Sequence, residues 1–119
     1  MRFVGKSLDW GRDTGVDGVI ANYPLLVSSG QVVYTGSSNE PKFGGKGSRT
    51  FVASNGANMA YIGIVYNATM TESAQVLQKL GFQYALNLDE GGSTALWANG
   101  GYKAGPGRNI PNAILFVRK

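Results

Sequence analysis

The residues best suited to chemistry form the segment DEGGST, residues 89–94, which directly follows an apolar run. Paired carboxylates supply the acid and the base or nucleophile of most glycoside hydrolases. Neighbouring residues of an extended chain point to opposite faces, so a turn is needed before Asp89 and Glu90 can reach one ligand. The alternative is that Asp89 binds turn amides while Glu90 faces solvent.

The four residues after the carboxylates favour an anion site. The backbone N–H groups of Gly91 and Gly92, together with the hydroxyls of Ser93 and Thr94, can form a nest that binds an anion. An ordinary Gly-Gly turn is the alternative. The chain has 18 glycines, and they cluster between apolar runs. Such clusters are typical of tight turns and of loops whose backbone approaches a ligand.

Two arginines beside predicted strands are candidates for binding that anion. Arg49 opens a strand after a Gly-rich loop, and Arg108 lies in a Gly- and Pro-containing loop before another. A guanidinium group binds phosphate or carboxylate with forked geometry, although most loop arginines are simply solvated. Four aromatic side chains are candidates for stacking on a sugar ring or, alternatively, for core packing: Trp10, Tyr23, Trp97 and Tyr102.

Composition excludes several classes of function. The 119 residues suit a single domain, residues 1–119. Cysteine and histidine are absent, which excludes disulfides, thiolate and imidazole catalysis, and most zinc sites. The net charge of +4 comes from scattered residues, so we expect an anionic small ligand rather than nucleic acid. The sequence has neither an export signal nor an apolar run of about 18 residues, which predicts a soluble cytoplasmic protein without membrane contact.

The elements that must position these groups begin with two predicted hairpins. Two apolar runs within residues 25–34 flank a turn that contains Gly30. The strand-like runs 49–54 and 59–66 flank the turn at residues 55–58, which contains an Asn-Gly pair. Asn-Gly between β-rich segments is a strong hairpin signal.

The hydrophobic period then changes to that of a helix. Thr69 and Glu72 fit a capping box, and Gly81 suits the position just after the helix. About ten helical residues are expected between them. The predicted apolar face consists of Met70, Ala74, Leu77 and Leu80.

A further strand, residues 83–88, follows this helix. Strand, crossover helix and strand make a βαβ unit, so we expect its two strands to be parallel. Ligands bind at the carboxyl ends of such strands, where Asp89 lies. The predicted fold class is α+β, with a mixed β-sheet, hairpins and one main helix in a βαβ unit.

The remaining segments are assigned from composition. Residues 1–17 are predicted as a short strand followed by loop. Residues 37–48 and 99–111 are predicted as loops. Residues 94–98 and 112–117 are predicted as strands, the second of which closes the domain.

Four motifs in the same order and spacing resemble the phosphodiester glycosidase family. The segment YALNLDEGGSTAL resembles that family's ALNLDGGGSS, and both follow a helix of the AQVLQKLGF kind. Arg108, Asn112 and Ala113 match its Arg-x-x-x-Asn-Ala closing strand. YPLLVSSGQVV matches a family hairpin, and Arg49-Thr50 matches a strand opening. The resemblance extends over residues 24–117.

Two departures from the family pattern stand out. Glu90 occupies the first glycine position of the DGGGS segment, where a side chain either crowds the anion pocket or adds a carboxylate. The Asn-Gly-Gly-aromatic segment of the family is not evident in residues 1–23. The chain therefore resembles a shortened domain, which favours a homo-oligomer in which a neighbour completes the pocket.

The resemblance implies a hydrolase that cleaves the anomeric C–O bond of a sugar-1-phosphodiester. It implies catalytic groups at Asp89, Glu90 and Ser93, with no obligatory metal or cofactor. We therefore expect two arginines to converge with Asp89 on one cavity at the rim of the sheet, where they would hold the phosphodiester. The implied substrate-binding residues are Arg49, Asn87, Gly91, Gly92, Thr94, Arg108 and Asn112.

The sequence leaves two alternative functions open. A shortened domain with Glu90 in the glycine position can bind and sequester a phosphosugar or nucleotide without turnover. A β-rich module of a larger assembly, with Gly loops as contact surfaces, is the third hypothesis.

Overall fold

The computed structural model describes residues 1, 3, 19–36 and 41–118. The helices in these ranges are α1 (Pro41–Gly44) and α2 (Met70–Lys79), and one 3-10 turn covers Gly91–Ser93. None of the described helices is both long and apolar enough to cross a bilayer. The strands are β1 (Leu25–Ser28), β2 (Gln31–Val32), β3 (Gly47–Ser54), β4 (Ala60–Ala68), β5 (Tyr84–Glu90), β6 (Leu96–Ala98) and β7 (Gly101–Ala104).

The main sheet has five strands in the order β2-β1-β5-β3-β4, and β6 and β7 form a separate two-stranded sheet. Every strand pair within the described ranges is antiparallel. Strands β4 and β5 run in the same direction, because each is antiparallel to β3, which lies between them. The α+β class is confirmed. The mixed sheet is corrected to antiparallel pairs, because the β3–β4 hairpin inserts β3 between the two strands of the βαβ unit.

Helix α2 begins at the predicted capping box. The Thr69 backbone N–H donates to the Glu72 carboxylate at 3.0 Å, and the Glu72 N–H donates to the Thr69 hydroxyl at 3.1 Å. Gly81 has the predicted positive φ, 90°. Leu80 was wrongly assigned to the apolar face: it is 66% exposed because it is the C-cap residue, where the helix ends. The other three predicted residues of that face are fully buried: Met70, Ala74 and Leu77.

The core lies where α2 packs on the main sheet, against β1, β2 and β4. Leu26 and Leu77 are both 0% exposed, and burying side chains of this size stabilises the fold by about 1.5–3 kcal/mol each. Phe51 of β3 and Ala85 of β5 complete the same cluster. The core therefore fixes the centre of the main sheet. The polar C-terminal end of β5 continues from this fixed part of the strand.

Both predicted hairpins are present. Ser29 and Gly30, with φ of 49° and 78°, join β1 to β2. Residues 55–58 join β3 to β4. A third hairpin, β6–β7, turns at Asn99-Gly100 inside the predicted loop 99–111. That part of the loop prediction is wrong, because Asn-Gly supplies the two positive φ angles of a two-residue hairpin here as well.

Two other segments differ from the prediction made from the sequence, and a third lies almost entirely outside the described residues. In its described part, the predicted loop 37–48 contains α1, which is fixed to the core by the buried Phe43, and the start of β3. The predicted closing strand, residues 112–117, pairs with none of the described strands, and Leu115 and Val117 are 78% and 80% exposed. The prediction for residues 1–17 falls outside the described residues, apart from residues 1 and 3.

Candidate functional site

A β-bulge near the end of β5 sets the geometry of the site. Phe51 of β3 pairs with Asn87, and Arg49 pairs with Glu90, so one residue of β3 opposes two residues of β5. The Thr50 hydroxyl donates to the backbone carbonyl of Asp89 within this irregularity. A bulge interrupts side-chain alternation and re-aims side chains, and it is common beside active sites. It therefore lets adjacent carboxylates reach one ligand, which a regular strand would not allow.

The re-aimed side chains line a cleft of about 190 Å³. Of the predicted site residues, the structure brings five to this cleft: Asn87, Asp89, Glu90, Ser93 and Arg108. The aromatic candidate Tyr23 also lines the cleft, and three residues that the sequence analysis did not single out complete the lining: Asn22, Phe43 and Leu88.

Glu90 is held by a buried arginine. Its carboxylate forms an ion pair with the guanidinium of Arg49, which is 3% exposed. The same guanidinium donates to the backbone carbonyls of Ala68, at 3.0 Å, and of Gly45. Arg49 therefore lies behind Glu90 rather than in the lining of the cleft. The expected convergence holds for Arg108 and Asp89, whereas Arg49 reaches the cleft only through Glu90.

Asn87 lines the cleft with a side chain that is almost fully buried. The residue is 2% exposed, and its side-chain amide N–H donates to the Tyr23 carbonyl at 3.1 Å. Its backbone N–H donates to the Pro24 carbonyl at 3.0 Å. The side-chain oxygen is buried without a hydrogen-bond partner. A buried acceptor left in this state is costly unless a ligand or water donates to it.

Asp89 is the exposed carboxylate of the site. The side-chain amide of Asn22 donates to it at 3.4 Å. This contact joins residues 67 positions apart in the chain, which is why the sequence did not reveal Asn22. The Asp89 carboxylate is therefore available to a ligand in the cleft.

Arg108 reaches the cleft from the C-terminal part of the chain. Its Nε donates to the Ser93 hydroxyl at 2.8 Å, and a second guanidinium nitrogen contacts the same oxygen. The Gly107 N–H donates to the Gly92 carbonyl at 3.1 Å, which joins the same two segments. A Cβ on Gly105 would lie 1.8 Å from the Thr94 carbonyl oxygen, so only glycine allows this approach.

The remaining predicted residues lie beside the cleft or away from it. Gly91, with φ of 62°, and Gly92 form the 3-10 turn below Arg108. Thr94 is 7% exposed, and its hydroxyl has no hydrogen-bond partner. Asn112 is exposed on the C-terminal segment and does not line the cleft.

The aromatic candidates also divide into one that lines the cleft and others that do not. Tyr23 lines the cleft, is 56% exposed and packs against the buried Phe43 ring at a centroid distance of 6.0 Å. Trp97 and Tyr102 face each other across the β6–β7 hairpin and are exposed away from the cleft lining. Trp10 falls outside the described residues.

Comparison with known proteins places the chain in a family. The family model described as phosphodiester glycosidase matches residues 2–117. A solved structure, titled as a hypothetical protein from Synechocystis, is 31% identical with a TM-score of 0.57 over 67% of this chain. The present chain covers only 17% of the length of that protein. No curated protein matches the chain. Because the family match extends over nearly all of its sequence, the chain belongs to the phosphodiester glycosidase family.

Proposed function

We propose that this chain hydrolyses a sugar-1-phosphodiester at the anomeric C–O bond. Water adds to the anomeric carbon, the bond to the phosphate oxygen breaks, and the products are a free sugar and a phosphomonoester. The single observation that supports this most is that a carboxylate, Asp89, and a guanidinium, Arg108, line one cleft. Membership of the phosphodiester glycosidase family supports the same reaction class.

The phosphate end of the substrate belongs at Arg108. Its guanidinium and the Ser93 hydroxyl, already bonded to each other, form a donor group for the phosphate oxygens. These donors stabilise the negative charge that grows on the phosphate as the C–O bond breaks. A phosphate is a good leaving group, so a strong general acid is not required.

The sugar end belongs at the other wall of the cleft. The unpartnered side-chain oxygen of Asn87 accepts a hydrogen bond from a sugar hydroxyl, which removes the cost of its burial. The exposed Tyr23 ring offers an apolar face to the sugar. Asp89 stabilises the positive charge at the anomeric carbon and accepts the proton of the attacking water.

The decisive test is the Asp89→Asn variant. The substitution keeps the shape of the side chain and removes its charge, so turnover of a sugar-1-phosphodiester should fall by about 10²–10⁴-fold. Release of phosphomonoester would be followed by phosphorus NMR. The matched control is Glu72→Gln, the same carboxylate-to-amide change in the first turn of α2, outside the lining of the cleft. Full activity of folded Asp89→Asn would overturn the mechanism.

A second candidate is a protein that binds and sequesters a phosphosugar or nucleotide without turnover. The observation that favours it is that the Arg49 guanidinium is already bonded to protein oxygens. Arg108 is therefore the arginine that lines the cleft and can contact the ligand. Calorimetry with phosphosugars, followed by analysis of the recovered ligand, separates the two functions. Intact ligand after long incubation supports binding alone, and cleaved ligand supports the hydrolase.

A further inference from the structure

We infer that Glu90 makes the cleft selective for phosphate esters that carry one negative charge, and that it repels the doubly charged monoester formed by hydrolysis. The inference rests on the proposed function in assigning the phosphate to the Arg108 side of the cleft. It assigns a role to the residue that stands in the family's first glycine position.

The charge of Arg49 is already used inside the protein. Its Nε donates to the Ala68 carbonyl at 3.0 Å, another nitrogen contacts the Gly45 carbonyl, and a third pairs with Glu90. At 3% exposed, the guanidinium has almost no surface left for an incoming anion. Glu90 therefore stands between the ligand and a positive charge that would otherwise attract a phosphate group.

The charges around the cleft decide which anion fits. Its charged lining residues are Asp89, Glu90 and Arg108. Arg49 balances Glu90 from behind, so the four groups sum to zero. One negative charge on a phosphodiester is matched by Arg108. A second negative charge meets no further cation in the described lining, because Glu90 neutralises the charge of Arg49.

In the proposed reaction, this charge selectivity distinguishes the substrate from the phosphate product. A phosphodiester carries one negative charge at neutral pH. Cleavage of its bond to the sugar yields a monoester, whose second ionisation has a pKa of about 6, so most of it carries two charges. The same cleft that accepts the substrate then repels the phosphate product, which speeds its release.

The test compares two probes that lack a sugar and therefore cannot be turned over. Dimethyl phosphate carries one charge and methyl phosphate two at a pH of about 8. NMR titration of the full chain should show tighter binding of dimethyl phosphate. Glu90→Gln keeps an oxygen for Arg49 but removes the negative charge, so methyl phosphate should gain about tenfold or more in affinity, against about threefold for dimethyl phosphate. Glu72→Gln is the matched control and should change neither affinity.

A double variant tests whether the gain in Glu90→Gln comes from the unmasked charge of Arg49. Arg49→Gln combined with Glu90→Gln removes one charge of each sign, so the preference for the singly charged probe should remain. An unchanged ratio of the two affinities in Glu90→Gln would overturn the inference. So would a preference of the wild type or the double variant for methyl phosphate, or failure of both probes to bind the wild type.

Turnover of a sugar-1-phosphodiester, measured in parallel, separates the two claims. Turnover with an unchanged affinity ratio in Glu90→Gln contradicts the charge selectivity and leaves the hydrolase. Selectivity without turnover contradicts the hydrolase and leaves the role of Glu90.

Discussion

The two regions that meet at the cleft are built differently. The main sheet and α2 enclose a cluster of buried apolar side chains, in which Leu77 is 0% exposed. In the region after the 3-10 turn, large apolar side chains lie on the surface, with Trp97 at 59% and Leu115 at 78% exposed. The first region supplies the carboxylate of Asp89, and the second supplies the guanidinium of Arg108.

Because of this difference, one region determines the stability of the site and the other determines its affinity for a ligand. The carboxylate side is fixed by a packed strand at the centre of the sheet, so it persists as long as the domain is folded. The guanidinium side is attached to it through the Ser93 hydroxyl and the Gly92 carbonyl. We therefore expect substitutions in the first region to act on folding and those in the second to act on ligand binding.

The largest effect expected from this comparison is that of Leu77→Ala. Removing a fully buried leucine side chain leaves a cavity, and such changes lower the free energy of unfolding by about 2–5 kcal/mol. The same change at Leu115 removes exposed surface and should cost no more than about 0.5 kcal/mol. Urea denaturation of both variants measures the two values. Equal losses would show that the C-terminal segment is packed, and would break the comparison.

The next effect contrasts the two arginines. Arg49→Gln leaves the Glu90 carboxylate, 18% exposed at its side chain, without its cation, and should cost about 2–4 kcal/mol of stability. Arg108 is exposed, so Arg108→Gln should cost less than about 1 kcal/mol while abolishing phosphate-ester binding.

Thermal melts and NMR titration with dimethyl phosphate give the two measurements for each variant. The comparison fails if Arg108→Gln destabilises the fold as much as Arg49→Gln does. It also fails if Arg108→Gln binds the probe as tightly as the wild type.

The parts of the fold that the sequence predicted are those set by local interactions. The capping box of Thr69 and Glu72 lies within one turn, and the turn at Gly30 within one hairpin. The β6–β7 hairpin carried the same kind of local signal at Asn99-Gly100, but the abundance of glycine around it favoured a loop. The insertion of β3 between β4 and β5 depends on strand pairing across the chain and has no local signature.

The same distinction between local and long-range interactions applies to the site. Motif order identified the family, and with it most of the cleft-lining residues. The bulge at Asp89 depends on the register between β3 and β5, and the pair of Arg49 with Glu90 joins residues 41 positions apart. Neither is visible in spacing along the chain, so Arg49 was predicted to bind the ligand directly, whereas it holds Glu90.

The smallest effect expected is at the exposed edge of the first region, where Glu72 closes the capping box. The hydrogen bond from the Thr69 backbone N–H, followed by that with the Thr69 side chain, holds the pKa of Glu72 below its usual value, and Lys46 at 3.4 Å adds to this. A carboxyl whose pKa is lower in the folded state stabilises the fold when it is ionised. That contribution is fully present above the ordinary pKa of about 4.3 and is lost as the pH falls through the lowered value.

Glu72→Gln keeps an acceptor for the Thr69 N–H but cannot ionise, so it isolates this contribution. The wild type should be more stable than the variant at a pH of about 6, and the gap should shrink as the pH falls below about 4. Thermal melts across that range measure the gap. Because the group is exposed, 1 M salt should reduce the contribution of Lys46 and leave that of the Thr69 hydrogen bonds. A gap that stays constant with pH would mean that the cap contributes only through its geometry and not through its charge.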